Sequence, residues 1–117
     1  MADEIKVYQK PTCSKCRETI GILREEGVSF ESINYYERPL GADQLRSLIA
    51  KLGLSPRDLL RKGEKVYKEL EIGSRELTDD QIIELMVEHP DLLQRPIVVR
   101  GEKAVLGRPP ENVKELL

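Results

Sequence analysis

Residues 5–27 read IKVYQKPTCSKCRETIGILREEG, a β-type run that leads through a Cys-x-x-Cys motif into a helical pattern. The side chains at 5–8 favour a β-strand, and the proline that follows prevents the strand from continuing. At residues 14–26 apolar side chains recur at helical spacing, and the glycine after them is placed to end the helix. Cys13 and Cys16 are therefore predicted to lie in a strand-to-helix turn.

The rest of the chain predicts a second strand, a helical middle segment, a hairpin and a short last helix. Residues 29–35 are rich in β-formers, and a proline and a glycine soon after them break the pattern. Apolar side chains at helical spacing mark several helices within residues 43–93. Residues 96–100 and 103–106 flank a two-residue turn, which favours an antiparallel hairpin. Two prolines open the final helix, which is predicted to end at Leu117.

The order of these elements predicts an α/β fold. A βαβ unit, a helical insertion and a ββα unit fit a thioredoxin-like fold, with a small mixed sheet, flanking helices and a first strand that ends at a redox motif. Within the insertion, the segment from Thr78 to Gln81 has the sequence of a capping box. A chain of 117 residues has the size of one domain. We expect a single domain across residues 1–117, with the helical insertion at about 41–93.

Composition and charge exclude several classes of protein. The chain carries 19 basic and 21 acidic residues, and its net charge of -2 offers no field for nucleic acid. No apolar run approaches the length needed to span a membrane. The start of the chain, MADEIKVYQK, lacks the basic region and the apolar core of a secretory signal. We therefore expect a cytoplasmic protein with no membrane or nucleic-acid partner.

The two cysteines require a chemical explanation, because cytoplasmic thiols are kept reduced and a structural disulfide is not expected there. Cys13 is predicted near a helix N-terminus, where unpaired N–H groups and the helix dipole stabilise a thiolate and cradle an oxyanion. Ser14, Lys15 and Arg17 follow within the first turn as supporting residues, and the two cations among them favour the thiolate. Cys13 is therefore the candidate nucleophile.

Cys16 leaves two interpretations open. It lies three residues after Cys13 on the same side of the predicted helix, within reach of a sulfur held on Cys13, and is a candidate resolving thiol. Alternatively, it is a small buried residue on an apolar face shared with Ile20 and Leu23. A zinc site is disfavoured, because two thiols and one imidazole, that of His89, leave the usual four-ligand shell incomplete. His89 ends a predicted helix and is expected to interact with the last carbonyls.

Four stretches of the chain match a known family, in order and at the expected separations. They read KPTCSKCRETI at 10–20, LLRK at 59–62, HPDLLQRPIVV at 89–99 and LGRPPE at 106–111. Over essentially its whole length the chain resembles the glutaredoxin-dependent arsenate reductase family, which also includes the Spx-type transcriptional regulators. The resemblance implies that the first cysteine, Cys13, attacks arsenate.

The resemblance also implies an oxyanion site. Three arginines of the family bind the oxyanion and lower the pKa of the cysteine, and these roles fall here on Arg61, Arg95 and Arg108. Planar guanidinium groups suit the task because they bind tetrahedral oxyanions through paired hydrogen bonds. The family's thioredoxin-like fold further implies a cis bond between Arg95 and Pro96, with the proline facing the cysteine. From the residues alone, the mixed charges around Arg61 are typical of a solvated face.

Three positions bear on the choice within the family. Arsenate reductases typically read C-G-T-S-R where this chain reads CSKCR, so Cys16 replaces a serine, and that spacing is found in Spx-type regulators. Arg108 argues against a regulator, because the reductases carry arginine within L-x-R-P and the regulators lack it. Gln9 stands where some reductases have a histidine, so no imidazole assists Cys13 from there.

The leading expectation from the resemblance is reduction of arsenate to arsenite in arsenic detoxification. Glutathione would be the co-substrate and glutaredoxin the partner that regenerates the enzyme, and we expect no tightly bound cofactor and a monomer. One alternative is a Spx-type redox-sensing regulator that binds RNA polymerase, with a Cys13–Cys16 disulfide as its sensor. Another is a thioredoxin-coupled thiol reductase of a different substrate.

Overall fold

A computed structural model describes residues 4–117. Its strands and α-helices follow one another as β1 (Ile5–Gln9), α1 (Ser14–Glu25), β2 (Phe30–Asn34), α2 (Ala42–Leu52), α3 (Lys65–Glu69), α4 (Asp79–Glu88), β3 (Ile97–Arg100) and β4 (Lys103–Leu106). Short 3-10 helices lie at Pro56–Leu59, Ile72–Ser74, Pro90–Leu92 and Pro110–Leu116. This order confirms the predicted sequence of a βαβ segment, a helical segment and a ββα segment.

The chain divides into two compact units. The first contains the described residues up to Pro39 together with Arg95–Leu117, and the second is Leu40–Gln94. The second unit contains the segment that the sequence assigns to a helical insertion. That residues 1–117 form a single domain stays a prediction.

Within residues 4–117, the first unit is built on a mixed four-stranded sheet in the order β2-β1-β3-β4. β1 pairs in parallel with β2 and antiparallel with β3, which pairs antiparallel with β4. The predicted hairpin turns at Gly101, whose φ of 61° lies in the left-handed region that favours glycine. This topology confirms the α/β, thioredoxin-like fold class. Because β1 and β2 are parallel, their C-terminal ends lie at the same edge of the sheet.

The core of the first unit lies between this sheet, α1 and the last helix. The buried side chains of its central cluster are Ile5, Val7, Leu23, Val98, Val113 and Leu116. Cys16 and Leu23 are buried on one face of α1 as predicted, but Thr19 is buried with them, whereas Ile20 is only partly buried. The predicted short last helix is a 3-10 helix, Pro110–Leu116.

The second unit is helical. Its two longest helices, α2 and α4, pack together, and their buried residues are Leu45, Leu48, Ile49, Ile82, Ile83 and Met86. The predicted capping box at the start of α4 is confirmed: Gln81 N–H donates to Thr78 Oγ1 at 3.2 Å, and Thr78 N–H donates to Gln81 Oε1 at 2.9 Å. No helix between residues 4 and 117 has both the length and the apolar character needed to cross a membrane.

Candidate active site

Cys13 lies where β1 leads into α1. Its backbone is extended, with φ -83° and ψ 123°, which makes it the N-cap of the helix. Its N–H donates to the Lys10 carbonyl at 2.9 Å, closing the turn that the proline of this loop begins. The Cys13 Sγ accepts a hydrogen bond from the Cys16 N–H at 3.4 Å. The sulfur therefore lies at the positive end of α1, as predicted.

The pKa of Cys13 is lowered from its ordinary value. Partial burial of the sulfur raises the pKa, but this effect is outweighed by hydrogen bonds from the side chain and backbone of Cys16 and by a hydrogen bond and the charge of Arg95. A lowered pKa increases the fraction of thiolate, which is the nucleophilic form of cysteine.

The pKa of Cys16 is shifted in the opposite direction. Its side chain is fully buried. Burial and, to a lesser extent, the hydrogen bond with the Cys13 side chain raise the pKa of Cys16 to about 12. Cys16 is therefore held as a neutral thiol that stabilises its neighbour. Whether it also resolves a bond to sulfur on Cys13 stays a prediction.

Arg108 follows β4 and reaches the cysteine. Its Nη2 lies 4.0 Å from the Cys13 Sγ, and its Nε donates to the main-chain carbonyl of Arg95 at 2.7 Å. The Asn112 Nδ2 donates to the Arg108 carbonyl at 3.2 Å and fixes the backbone beyond the strand. The Arg108 guanidinium is thereby anchored on main chain at its Nε, while its Nη2 lies near the sulfur.

Arg95 is buried, with 6% of its surface exposed, a rare position for a guanidinium. Its Nη1 donates to the Tyr36 hydroxyl at 3.3 Å and to the Tyr35 hydroxyl at 3.5 Å. Its Nε is buried with no hydrogen-bond partner among the described residues. Burial alone would lower the pKa of Arg95, but its interactions with Tyr35, Tyr36 and Cys13 together outweigh burial and the pKa is raised. The guanidinium therefore keeps its charge beside the cysteine.

Two X-Pro bonds of the described chain are cis. The bond between Arg95 and Pro96 confirms the expectation drawn from the resemblance. The bond between Arg108 and Pro109 is also cis, and nothing in the sequence analysis predicted it. Each candidate oxyanion-binding arginine of the first unit thus directly precedes a cis-proline.

Arg61 belongs to the second unit. Its N–H donates to the Leu92 carbonyl at 2.7 Å, and its Nε donates to Glu64 Oε1 at 3.0 Å. The ion pair with Glu64 compensates part of the Arg61 charge. Its role in binding an oxyanion stays a prediction.

The remaining candidates lie at the surface or at a helix end. Lys15 Nζ pairs with Glu18 Oε2 at 3.2 Å, and Ser14 and Arg17 are exposed. His89 is the C-cap of α4, where its N–H donates to the Leu85 carbonyl at 2.8 Å. Within residues 4–117, no three His, Cys, Asp or Glu side chains are grouped in a way that could hold a metal ion.

Comparison with known proteins identifies the family. Residues 8–116 match the model described as the ArsC family. The chain belongs to the ArsC family. The Escherichia coli K12 protein YfgD is 45% identical over 118 residues, which cover 100% of this chain and 99% of that protein. An arsenate reductase of Neisseria meningitidis serogroup A is 38% identical, over 97% of this chain and 98% of its own length.

A solved structure supports the same assignment to the ArsC family. The structure titled arsenate reductase from Vibrio cholerae superimposes with a TM-score of 0.94 at 42% identity, and the match covers 100% of both chains. The matched residues include those of both units of this ArsC-family chain.

Tyr35 and Tyr36 are site residues of this ArsC-family chain that sequence reasoning missed. They directly follow β2, and the parallel pairing of β2 with β1 brings them to the edge where Cys13 lies. That pairing was the available signal, because two aromatic residues at the C-terminal end of a strand parallel to β1 share the edge of the redox motif. The sequence analysis singled out neither residue.

Proposed function

We propose that this chain reduces arsenate to arsenite by thiol chemistry, with Cys13 as the nucleophile. The observation that carries the proposal is that the Cys13 sulfur lies at the start of α1 with Arg108 Nη2 at 4.0 Å. The relatives named arsenate reductase, 38% identical in N. meningitidis and 42% in V. cholerae, support the choice of substrate.

The first step is attack of the Cys13 thiolate on arsenic. An S–As bond forms, and a hydroxyl group leaves arsenic as water after taking up a proton. Arg95 and Arg108 bind the oxyanion and the charge that develops on its oxygens. Unpaired N–H groups at the start of α1 contribute to the same positive field. That Arg61 joins this set is the part of the proposal that rests on the family resemblance alone.

An external thiol completes the two-electron transfer. Two thiols become a disulfide, arsenic takes the electron pair, and arsenite leaves. We propose glutathione as the co-substrate that supplies the second sulfur and glutaredoxin as the partner that regenerates Cys13, in the cytoplasm and in the service of arsenic detoxification. In a variant of this scheme Cys16 supplies the second sulfur, and a thioredoxin or glutaredoxin reopens a Cys13–Cys16 disulfide.

Arsenate-dependent oxidation of NADPH tests the proposal, in an assay coupled through glutathione, glutaredoxin and glutathione reductase. We expect Cys13→Ser to abolish turnover, because no other thiol of the site has a lowered pKa. Cys16→Ser is the matched control, with the same atom replaced three residues away. Turnover that survives in Cys16→Ser would exclude an obligatory resolving thiol.

Turnover by the native chain tests whether arsenate is the substrate. Absence of arsenate turnover with glutaredoxin, and again with thioredoxin in its place, would overturn the proposal. Recovery of RNA polymerase subunits by the oxidised chain would then favour the regulator, and turnover of another electrophile would favour a thiol reductase with a different substrate.

A further inference from the structure

Two of the groups that accept hydrogen bonds from Arg95 are phenol hydroxyls. Arg95 Nη1 lies 3.3 Å from the Tyr36 hydroxyl and 3.5 Å from that of Tyr35, and the buried Nε of the same guanidinium has no partner among residues 4–117. The guanidinium is thus held at one nitrogen while another N–H is left unsatisfied. An unsatisfied buried donor is costly, so a ligand that accepts from it gains free energy.

The chemistry of these acceptors distinguishes Arg95 from Arg61, the candidate oxyanion-binding arginine of the second unit. Arg61 donates its Nε to the Glu64 carboxylate at 3.0 Å, which orients the side chain but cancels part of its charge. A neutral hydroxyl orients a guanidinium without cancelling its charge. Arg95 therefore retains its full attraction for a thiolate or an oxyanion while its orientation is fixed.

The tyrosines are themselves held in place. The Asn34 side chain accepts the Tyr36 N–H at 3.0 Å, and the Asn34 carbonyl accepts the N–H groups of the next turn. The two rings lie 5.0 Å apart between centroids, and Lys10 Nζ lies 4.8 Å from the centroid of the Tyr36 ring. Hydrogen bonds in the turn after β2 and the contacts of the two rings thus restrain the side chains that carry the hydroxyls.

We propose that Tyr35 and Tyr36 are positioning residues that hold the Arg95 guanidinium, uncompensated and correctly oriented, beside Cys13 for oxyanion binding. The inference rests on the proposed function for its substrate. The effect that it predicts on the pKa of Cys13 is measurable without any substrate.

The test replaces the hydroxyls and keeps the rings, with Tyr35→Phe, Tyr36→Phe and the double variant. Each net hydrogen bond to the guanidinium is worth a few-fold in binding, so we expect the KM for arsenate to rise about threefold per hydroxyl and about tenfold in the double variant. The pKa of Cys13 rises toward its ordinary value, because a less well oriented Arg95 stabilises the thiolate less. The pKa is read from the pH dependence of alkylation by iodoacetamide.

Two controls separate positioning from general damage. Tyr8→Phe removes a hydroxyl from β1 of the same sheet, and we expect both the KM and the alkylation profile to stay native. In an Arg95→Met background the two Phe substitutions lose their effect on alkylation, since they act through the missing guanidinium. A merely structural role would instead lower the urea midpoint and leave the pKa of Cys13 unchanged.

The outcomes distinguish this inference from the proposed function. A native chain without arsenate turnover overturns the proposed function, while alkylation still reports on the tyrosines. A double Phe variant with the native alkylation profile and the native KM overturns the inference, whatever the substrate.

Discussion

Cys13 and Cys16 carry the same functional group three residues apart, but their surroundings drive their pKa values in opposite directions. Hydrogen bonds from Cys16 and the hydrogen bond and charge of Arg95 lower the pKa of Cys13, whereas burial raises the pKa of Cys16 and keeps it a protonated donor to its neighbour. The Cys-x-x-Cys spacing predicted which sulfur lies at the helix start. It could not predict the protonation of Cys16, because that depends on the side chains packed around it.

The buried thiol makes the stability of the chain fall at alkaline pH. In the folded chain the pKa of Cys16 is about 12, whereas an unfolded cysteine ionises near 9.0. Between these values the folded state binds one more proton, so the free energy of unfolding falls by about 1.4 kcal/mol per pH unit from this residue. Urea unfolding across this range in the native chain and in Cys16→Ala measures the difference.

Of the two cysteines, only Cys16 makes the free energy of unfolding fall as the pH rises. Cys13 has a lowered pKa, so its contribution rises with pH and is complete once an unfolded cysteine has ionised. Groups away from the two cysteines are common to both chains and cancel in the comparison. Parallel stability curves for the native chain and Cys16→Ala above pH 9.0 would contradict the raised pKa.

At the scale of an element, the loop after β4 packs close to α1, and this close approach requires that Gly107 has no side chain. A Cβ at Gly107 would lie 2.7 Å from Pro96 Cγ and 2.7 Å from Thr19 Oγ1, and the Gly107 N–H donates to the Pro96 carbonyl at 2.9 Å. Arg108 is the next residue. The approach of this loop to the cis-proline therefore places the Arg108 guanidinium beside the cysteine.

Gly107→Ala tests this packing. The added methyl group must displace a proline ring and a buried hydroxyl, so we expect a loss of about 1–3 kcal/mol in the free energy of unfolding. The KM for arsenate rises as well, because Arg108 moves with the loop. Urea unfolding and the coupled assay measure the two effects.

Gly21→Ala is the matched control, since nothing lies within 4 Å of a Cβ at this position of α1. There the same change should stabilise the chain by about 0.5–1 kcal/mol, through helix propensity alone. Equal effects at Gly107 and Gly21 would show that the loop does not depend on the missing side chain.

Most elements were predictable because each carries a local signal. The hairpin at Gly101 and the capping box at Thr78 are examples, and both lie where the pattern indicates. The last helix was assigned without its 3-10 geometry, because Pro110–Leu116 is too short for helical spacing to separate the two kinds of helix. Tyr35 and Tyr36 were missed because their role depends on parallel strand pairing, which is not a local property.

At the scale of the whole molecule, the site of the first unit is assembled from distant parts of the chain. Cys13 comes from the N-terminal segment, and Arg95 and Arg108 come from the C-terminal segment, with the second unit, Leu40–Gln94, between them in sequence. The sequence motifs named these residues, but only the fold brings the two segments together. The geometry of this candidate site therefore depends on pairing between strands far apart in sequence, β1 with β3.

The prediction that residues 1–117 form a single domain has a thermodynamic consequence, because a single domain unfolds in one cooperative transition. Thr78→Ala removes the cap of α4 in the second unit and is expected to lower stability by about 1 kcal/mol. In a Cys13→Ser background, alkylation of Cys16 reports opening of the first unit, where that thiol is fully buried. We expect helical circular dichroism and Cys16 alkylation to shift to the same lower urea midpoint, while Ser47→Ala on the exposed face of α2 leaves both unchanged. A shift in circular dichroism without a shift in Cys16 alkylation would mean that the two units unfold independently and that the single-domain prediction is wrong.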